Sequence, residues 1–280
     1  MIKKIAVLYG GSSSERQISL QSGEGVHKAM KELGYESELL DFKNITNFNE
    51  LKIYDFVFIA LHGFEGEGGE LQKNLDDLDI LYSGSKAIAC RNTWNKRLTK
   101  EILKKNNITT PLWLETKLNK QLVEDGLQTS FFDKFRPYKY LFLKPEEDGS
   151  SVDIFKISDN ESLKNAYQKC INPERSFLFE EYIEGRELTV TIINKECLPP
   201  LEIITTNEFY DYDAKYISDK TLHVEAELTK NELDKIKSIS LDAFEALDCN
   251  GWARVDLLQD KEKNFYIIEI NTVPAMTSHS

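Results

Sequence analysis

Arg254, Asp256, Glu269 and Asn271 stand at alternate positions of two strand-like runs, "WARVDLL" and "FYIIEIN", joined by the polar turn "QDKEKN". Side chains alternate faces along a strand. Arg254 and Asp256 therefore share one face of the first run, and Glu269 and Asn271 share one face of the second. Val255, Leu257, Ile268 and Ile270 point the other way, into a core. If the runs pair antiparallel, the four polar groups converge on one side of a sheet. Three chemistries fit that convergence. One is a solvated outer face, another is a structural Arg–Asp ion pair, and the third is a site for a hard cation. Mg²⁺ takes oxygen ligands, usually one or two carboxylates together with substrate phosphates. Asp256, Glu269 and Asn271 offer three oxygen-bearing side chains, and Arg254 could hold an anion beside the metal. This last reading requires phosphate-binding groups elsewhere in the chain.

Several segments offer such groups, each with an ordinary structural alternative. "LFLKPEEDGSSVDIF" places Lys144 at the end of an apolar strand, followed by a tight loop with Gly149, Ser150 and Ser151. Glycine lets backbone approach a ligand, and successive N–H and hydroxyl groups can cradle phosphate oxygens. The loop is not GxxxxGK[ST], and Glu146, Glu147 and Asp148 would repel a phosphate unless they point elsewhere; the alternative is a plain hairpin loop. Lys96 opens a helical segment and by itself is a surface lysine. "FLFEEYIEGRELTV" carries Glu180, Glu181 and Glu187, which cannot all be buried without partners; the hydrogen-bond donors of a nucleoside would satisfy them, as would solvent. "NEFYDYDAKYISDKT" sets Phe209, Tyr210, Tyr212 and Tyr216 among acids and Lys215 without a steady period. It reads as a candidate lid over a water-free site or as a loop packed by its own tyrosines.

The elements that must hold these groups change character along the chain. Over the first hundred residues, strand-like "KIAVLYGG", "ESELLDF", "DFVFIAL" and "ILYSG" alternate with helices. One helix is "SLQSGEGVHKAMKELGY", with Val26, Met30 and Leu33 at helical spacing and Gly34 closing it. Another is "NTWNKRLTKEILKKNN", with Trp94, Leu98, Ile102 and Leu103 as a stripe. Such alternation predicts a parallel α/β sheet, whose ligands bind at the carboxyl ends of strands. "GGSSSER" and "LHGFEGEGGE" fall there, and "GGSSSE" is not the GxGxxG of dinucleotide folds. Beyond about residue 107, "YKYLFLKP", "VDIFKI", "SFLFEEYI" and "RELTVTIIN" are strands, with helices near "NESLKNAYQKC" and "KNELDKIKSISLDAFEALDC". This half is α+β and largely antiparallel.

Bulk properties agree. A chain of 280 residues, 41% hydrophobic and 29% charged, can bury two or three cores. Its net charge of −12 argues against nucleic acid. No apolar run approaches the roughly 18–20 residues that cross a bilayer, and "MIKKIAVLYGG" reads as a first strand rather than a signal peptide. Four scattered cysteines without metal-like spacing predict a reduced, cytoplasmic protein.

In combination, "VLYGGSSSERQISLQSG", "FIALHGFEGEGGELQ", "KPEEDGSSV", "EFYDYDAKY", "GWARVDLL" and "IIEINTVPAMTSHS" resemble, in order and spacing, the D-alanine–D-alanine ligases of the ATP-grasp superfamily over the whole chain. The resemblance implies an N-terminal Rossmann-like domain over 1–95, a central ATP-grasp domain over 96–183 and a C-terminal one over 184–280. It implies ligation of two D-alanines through an acyl phosphate for peptidoglycan precursor synthesis, with ATP and two Mg²⁺ or Mn²⁺ ions, in a cytoplasmic homodimer. Glu15 matches the acid that holds the first alanine's ammonium, with Ser150 and Tyr216 orienting it, and His62 the histidine near that alanine's carboxylate. Arg254 and the Ala275 N–H match the donors to the tetrahedral intermediate, and Ser280 the residue for the second carboxylate. Lys96, Lys144 and Lys215 match the phosphate lysines, Glu180 and Glu187 the adenine and ribose contacts. Ser151, Glu181, Ile183, Phe209 and Asn271 complete the ATP-binding positions. Asp256, Glu269 and Asn271 match the metal ligands, and Tyr216 favours D-alanine over D-lactate as second substrate.

The chain departs from the family pattern at identifiable places. "GEGGELQK" stands for the usual "GEDGTLQG", Asn95 for an Asp, Asp153 for a Gly and Ala275 for a Gly. The family also continues for roughly another helix past the position of Ser280. A φ > 0 backbone at Ala275 would cost about 1 kcal/mol or more, and the acidic phosphate loop would oppose a polyphosphate. Both expectations bear on efficiency and substrate rather than on fold.

Overall fold

The run "KIAVLY" forms β1 (Lys4–Tyr9), the middle strand of a parallel sheet of order β2-β1-β3, with β2 (Glu36–Asp41) and β3 (Phe56–Ile59). Both faces are covered, as parallel strands require. Ile5 and Val7 pack with Val26 of α1 (Arg16–Glu32), while Ala6 and Leu8 meet Leu51, Leu71, Leu75 and Ile80 on the other face. The expected α1 stripe is shorter than the spacing suggests: Leu33 caps the helix at 74% exposure, just before Gly34 turns the chain at φ +82°. "ILYSG" does not form a full strand either; it adds one parallel bridge, Val57–Tyr82. Two short helices, α2 (Phe64–Glu67) and α3 (Glu70–Asp77), follow β3. The computed structural model describes residues 2, 4–149, 152–205 and 221–277.

The single helix expected over "NTWNKRLTKEILKKNN" is two helices, α4 (Ala87–Trp94) and α5 (Lys96–Lys105). Asn95 separates them in an extended conformation and caps α5, its side chain accepting from the Leu98 N–H. Asn is a strong N-cap because its oxygen satisfies an otherwise orphaned helical donor. Asn95 also bridges Glu147, so the break ties α5 to the central sheet. Thus Trp94 leaves the stripe, while Leu103 enters the core of the C-terminal sheet together with Ala89 of α4.

The central sheet has the order β4-β7-β5-β6, built from β4 (Trp113–Lys117), β5 (Leu141–Pro145), β6 (Phe155–Ile157) and β7 (Ser176–Glu181), all antiparallel. Phe177 and Phe179 alternate into a core with Leu141, Leu143 and Leu163. The helices α6 (Lys120–Asp125) and α7 (Asn160–Lys169) pair beside it, and Asp159 and Ser162 form a capping box at the start of α7. By period 2, Glu180 takes the face opposite Phe179.

The C-terminal sheet runs β11-β10-β8-β12-β13, with β9 on β8. Its strands are β8 (Gly185–Ile193), β9 (Glu196–Cys197), β10 (Leu201–Ile204), β11 (Leu222–Glu225), β12 (Trp252–Asp260) and β13 (Phe265–Asn271). The helix α8 (Lys230–Ala246) lays Ile236, Ala243 and Phe244 on one face of it, against Val190, Val255 and Ile270. The hairpin expected from the sequence is present and antiparallel. Its alternation is not uniform, because the register slips between Asp256 and Leu257. The residue opposite Leu257 is Ile267, which is fully buried, and Ile268 becomes the extra residue of a β-bulge. Ile268 therefore leaves the core and lines a cleft beside Glu269.

Among the described residues no helix is long and apolar enough to cross a membrane. The four cysteines are all free thiols.

Candidate active site

Two cavities lie between these sheets. The inner one, about 80 Å³, is lined by Glu15, His62, Glu67, Gly149, Arg254 and Ala275 among others. The outer cleft, about 360 Å³, is lined by Lys144, Glu180, Glu181, Ile183, Glu187, Asp256, Leu258 and Ile268 among others. Lys96, Ile154 and Glu269 line both, so the two spaces adjoin at these side chains.

At the hairpin, Arg254 faces Asn271 and Asp256 faces Glu269. Arg254 grips Asp256 with two prongs, Nε to Oδ1 at 2.9 Å and Nη2 to Oδ2 at 2.8 Å. Asp256 also accepts from Thr189 Oγ1 (2.7 Å) and Asn271 Nδ2 (3.0 Å). The structural ion pair is thus formed, and the four groups share one side as the alternation predicts. Two carboxylates and an amide are a fitting donor set for a hard divalent cation whose remaining positions come from phosphate oxygens and water. Among the described residues no group of three or more His, Cys, Asp or Glu forms a metal cage by itself.

The acids of the loop after β5 are all engaged with other side chains, although Asp148 also lines the inner cavity. Glu146 accepts from Arg97 Nε at 2.7 Å and Glu147 from Asn95 Nδ2 at 2.8 Å. Arg175 pairs with both Asp148 and Asp153. The Asp148 carbonyl accepts from Lys96 Nζ at 2.6 Å. Asp153 takes φ +55°, the left-handed region that a glycine would occupy without strain, and its carboxylate also accepts from the Ile171 and Asn172 N–H groups. Arg97 and Arg175 thus offset part of the expected repulsion. Glu147 beside an Asp at 95 would be a like-charge pair; Asn95 makes a hydrogen bond instead.

Lys144 and Glu180 meet because Phe142 stands opposite Glu180 in the β5–β7 register, which brings Lys144 diagonally across it. Glu180 pairs with Lys144 and with Lys100, the latter at 2.5 Å. Glu180 is fully buried; burial would raise its carboxyl, but the two lysines outweigh that together and hold it below the ordinary range. Glu181 accepts from the Leu112 N–H at 2.9 Å and from the Tyr138 hydroxyl.

In the inner cavity, His62 is 3% exposed. Its Nδ1 lies 3.1 Å from the Val273 carbonyl, which can only accept, so Nδ1 carries the proton and Nε2 accepts from Ser22 Oγ at 2.9 Å. The Ser22 hydroxyl in turn accepts from the Met276 N–H at 3.0 Å. Burial draws His62 down to about 4, so the ring is neutral at pH 7. This chain anchors the segment 273–276, which presents Ala275 to the cavity. Ala275 is not among the left-handed residues, so the strain expected there does not arise. Glu67 accepts from the Gly63 N–H, and burial, followed by the nearby Glu15 charge, pushes its carboxyl well above the usual range. A Cβ at Gly149 would lie 2.6 Å from Glu15 Oε2, so glycine lets the loop close on that acid.

Ser150, Ser151, Phe209, Lys215, Tyr216 and Ser280 lie outside the described residues. The sequence reading missed Lys100, Glu67, Arg97 and Arg175. Lys100 carried a signal: it lies one turn after Lys96 and next to Thr99 and Leu103 on the buried side of an amphipathic helix. Arg175 carried none, because its partners are 22 and 27 residues distant.

Comparison with known proteins follows the same lines. Residues 113–280 match the family model "D-ala D-ala ligase C-terminus". The chain is 37% identical over 279 residues to D-alanine–D-alanine ligase B of Clostridium perfringens, covering 99% of this chain and 90% of that protein. It is 39% identical over 276 residues to the D-alanine–D-alanine ligase of Saccharophagus degradans, covering 98% and 85%. The crystal structure of the Bacillus anthracis D-alanine–D-alanine ligase complexed with ATP superimposes with a TM-score of 0.83 at 29% identity, covering 99% of this chain and 89% of that one. On the family model over residues 113–280 and these identities over nearly its whole length, the chain belongs to the D-alanine–D-alanine ligase family.

Proposed function

We propose that this protein joins two D-alanines into D-alanyl-D-alanine at the expense of ATP. The observation that carries the reading is the adjoining of the two cavities at Lys96 and Glu269. The outer cleft has the size and lining of a nucleotide site, and the inner cavity is small and polar, suited to amino-acid carboxylates and ammonium groups. A phosphoryl group passing between them would do so beside a lysine and a carboxylate.

In this reading adenine and ribose take the outer cleft with Glu180, Glu181, Ile183 and Glu187 as polar partners, and Lys96 and Lys144 hold the phosphates. Phosphorylation of the first D-alanine's carboxylate gives an acyl phosphate. The amine of the second attacks its carbonyl, and phosphate leaves. Glu15 receives the first ammonium group. Arg254 and the Ala275 N–H face the oxygen on which charge develops, where fixed donors lower the barrier most. His62, neutral and of fixed tautomer, positions the 273–276 segment. Alignment of the two alanines removes on the order of 7–11 kcal/mol of barrier. Asp256, Glu269 and Asn271 would hold Mg²⁺ or Mn²⁺, which supplies charge neutralisation at the phosphates. A cytoplasmic homodimer serving peptidoglycan synthesis belongs to the same reading, with sedimentation as the check on the dimer.

The test is ADP release from Mg-ATP with D-alanine, L-alanine or D-lactate, with products identified by mass spectrometry. Stimulation by D-alanine together with the dipeptide is expected. Stimulation only by another acid, or mainly depsipeptide from a D-alanine and D-lactate mixture, would overturn the assignment.

A further inference from the structure

Glu180 is shared by two lysines of different standing. Lys144 and Glu180 both line the outer cleft, but Lys100 does not. Lys100 is 1% exposed, and its ammonium, besides pairing with Glu180 at 2.5 Å, donates to Thr110 Oγ1 at 2.8 Å and lies 5.7 Å from the Trp113 ring centroid. Lys144, at the cleft wall, pairs with Glu180. To meet a polyphosphate it must give up or share that partner. A buried carboxylate left alone is strongly destabilising, so the exchange is feasible only if another cation stays behind.

We propose that Lys100 is a positioning residue for nucleotide capture: it holds the charge of Glu180 from within the protein, so that Lys144 can turn from Glu180 to the phosphates while Glu180 stays ionised as an acceptor for the nucleoside. This rests on the reading of the outer cleft as an ATP site. The charged groups around Lys100 are Glu180 and Glu181 on β7 and Lys144 on β5, with Lys104 of its own helix over the same Trp113 ring. Burial draws Lys100 down to about 8; Glu180 opposes the shift and Lys144 adds to it. Removal of Lys144 to a phosphate lifts that repulsion, so the bound state holds the Lys100 proton more tightly.

The experiment measures dissociation constants of Mg-ATP and of adenosine, by calorimetry, for the wild type and Lys100→Met. Without Lys100, ATP would have to take Lys144, the cation left to Glu180 among the described residues, whereas adenosine carries no phosphate to draw it away. ATP affinity is expected to fall about tenfold or more, with adenosine affinity within about threefold of wild type. Equal weakening of both ligands marks a merely structural role and overturns the proposal, as does unchanged ATP affinity. If the variant does not fold, the wild type carries the test. Binding that raises the Lys100 pKa is strongest below the free-state value and weakens as pH rises through it, so ATP affinity should decline above about pH 8 while adenosine affinity stays level. A level ATP profile to pH 9.5 overturns the proposal. A wild type that binds no Mg-ATP at pH 7 sinks the nucleotide reading and this proposal together, whereas ATP binding indifferent to Lys100 sinks this proposal alone.

Discussion

Asp256 stands directly opposite Glu269 in the β12–β13 pair, and the register slips by one residue immediately beyond them. Two carboxylates directly opposed on one face repel unless something lies between or beside them. Arg254, Thr189 and Asn271 hold Asp256 here. The bulge then turns the next apolar residue, Ile268, onto the cleft wall.

Removal of either charge, as Asp256→Asn or Glu269→Gln, is expected to lower kcat/KM by about a hundredfold or more. It should also raise the Mg²⁺ concentration that gives half-maximal rate. A Mg²⁺ titration at saturating ATP and D-alanine checks this. Wild-type Mg²⁺ dependence in both variants would remove the metal-ligand assignment.

The bulge separates two neighbouring isoleucines by role. Ile267 is fully buried, so Ile267→Ala should destabilise by about 2–5 kcal/mol. Ile268 lines the cleft, so Ile268→Ala should cost about 1 kcal/mol or less in stability and raise KM for ATP severalfold. Urea denaturation and steady-state kinetics on both variants decide the matter. Uninterrupted alternation would require the opposite order.

Asp153 combines a left-handed backbone with a carboxylate bound by Arg175 and two N–H groups. Asp153→Gly loses the carboxylate but relieves the backbone. Asp153→Ala loses the carboxylate and keeps the strain, so it should be the less stable of the two by about 1 kcal/mol. Equal urea midpoints would show that the strain is not felt.

His62 is held near 4 in the folded protein, below its unfolded value near 6.5. The unfolded chain binds the extra proton between these values, so the stability held above about pH 6.5 is lost as pH falls toward 4. The loss is roughly 3 kcal/mol at pH 4. His62→Gln should be less stable at pH 7 yet show a flatter stability profile from pH 6.5 to 4. Parallel profiles would place the acid sensitivity elsewhere.

The sequence by itself determined the local elements and the kinds of groups on offer. Periods of two and of about 3.6, with turn residues between them, located β1, α1, β7, α8 and the β12–β13 hairpin, because burial of one face imposes those periods. It also put Arg254 and Asp256 on one side, since alternation within a strand is local. Three matters were decided only by the tertiary structure. The slip at Ile268 depends on how β13 lies against β12, and no property of "FYIIEIN" announces it. The break at Asn95 depends on Glu147, distant in sequence, which holds α5 to the central sheet. The pairing of the acidic loop depends on Arg97 and Arg175, and the burial of Lys100 on a carboxylate eighty residues away. Charges that look repulsive along a chain become partners in space, because electrostatic energy depends on distance and burial and not on sequence order.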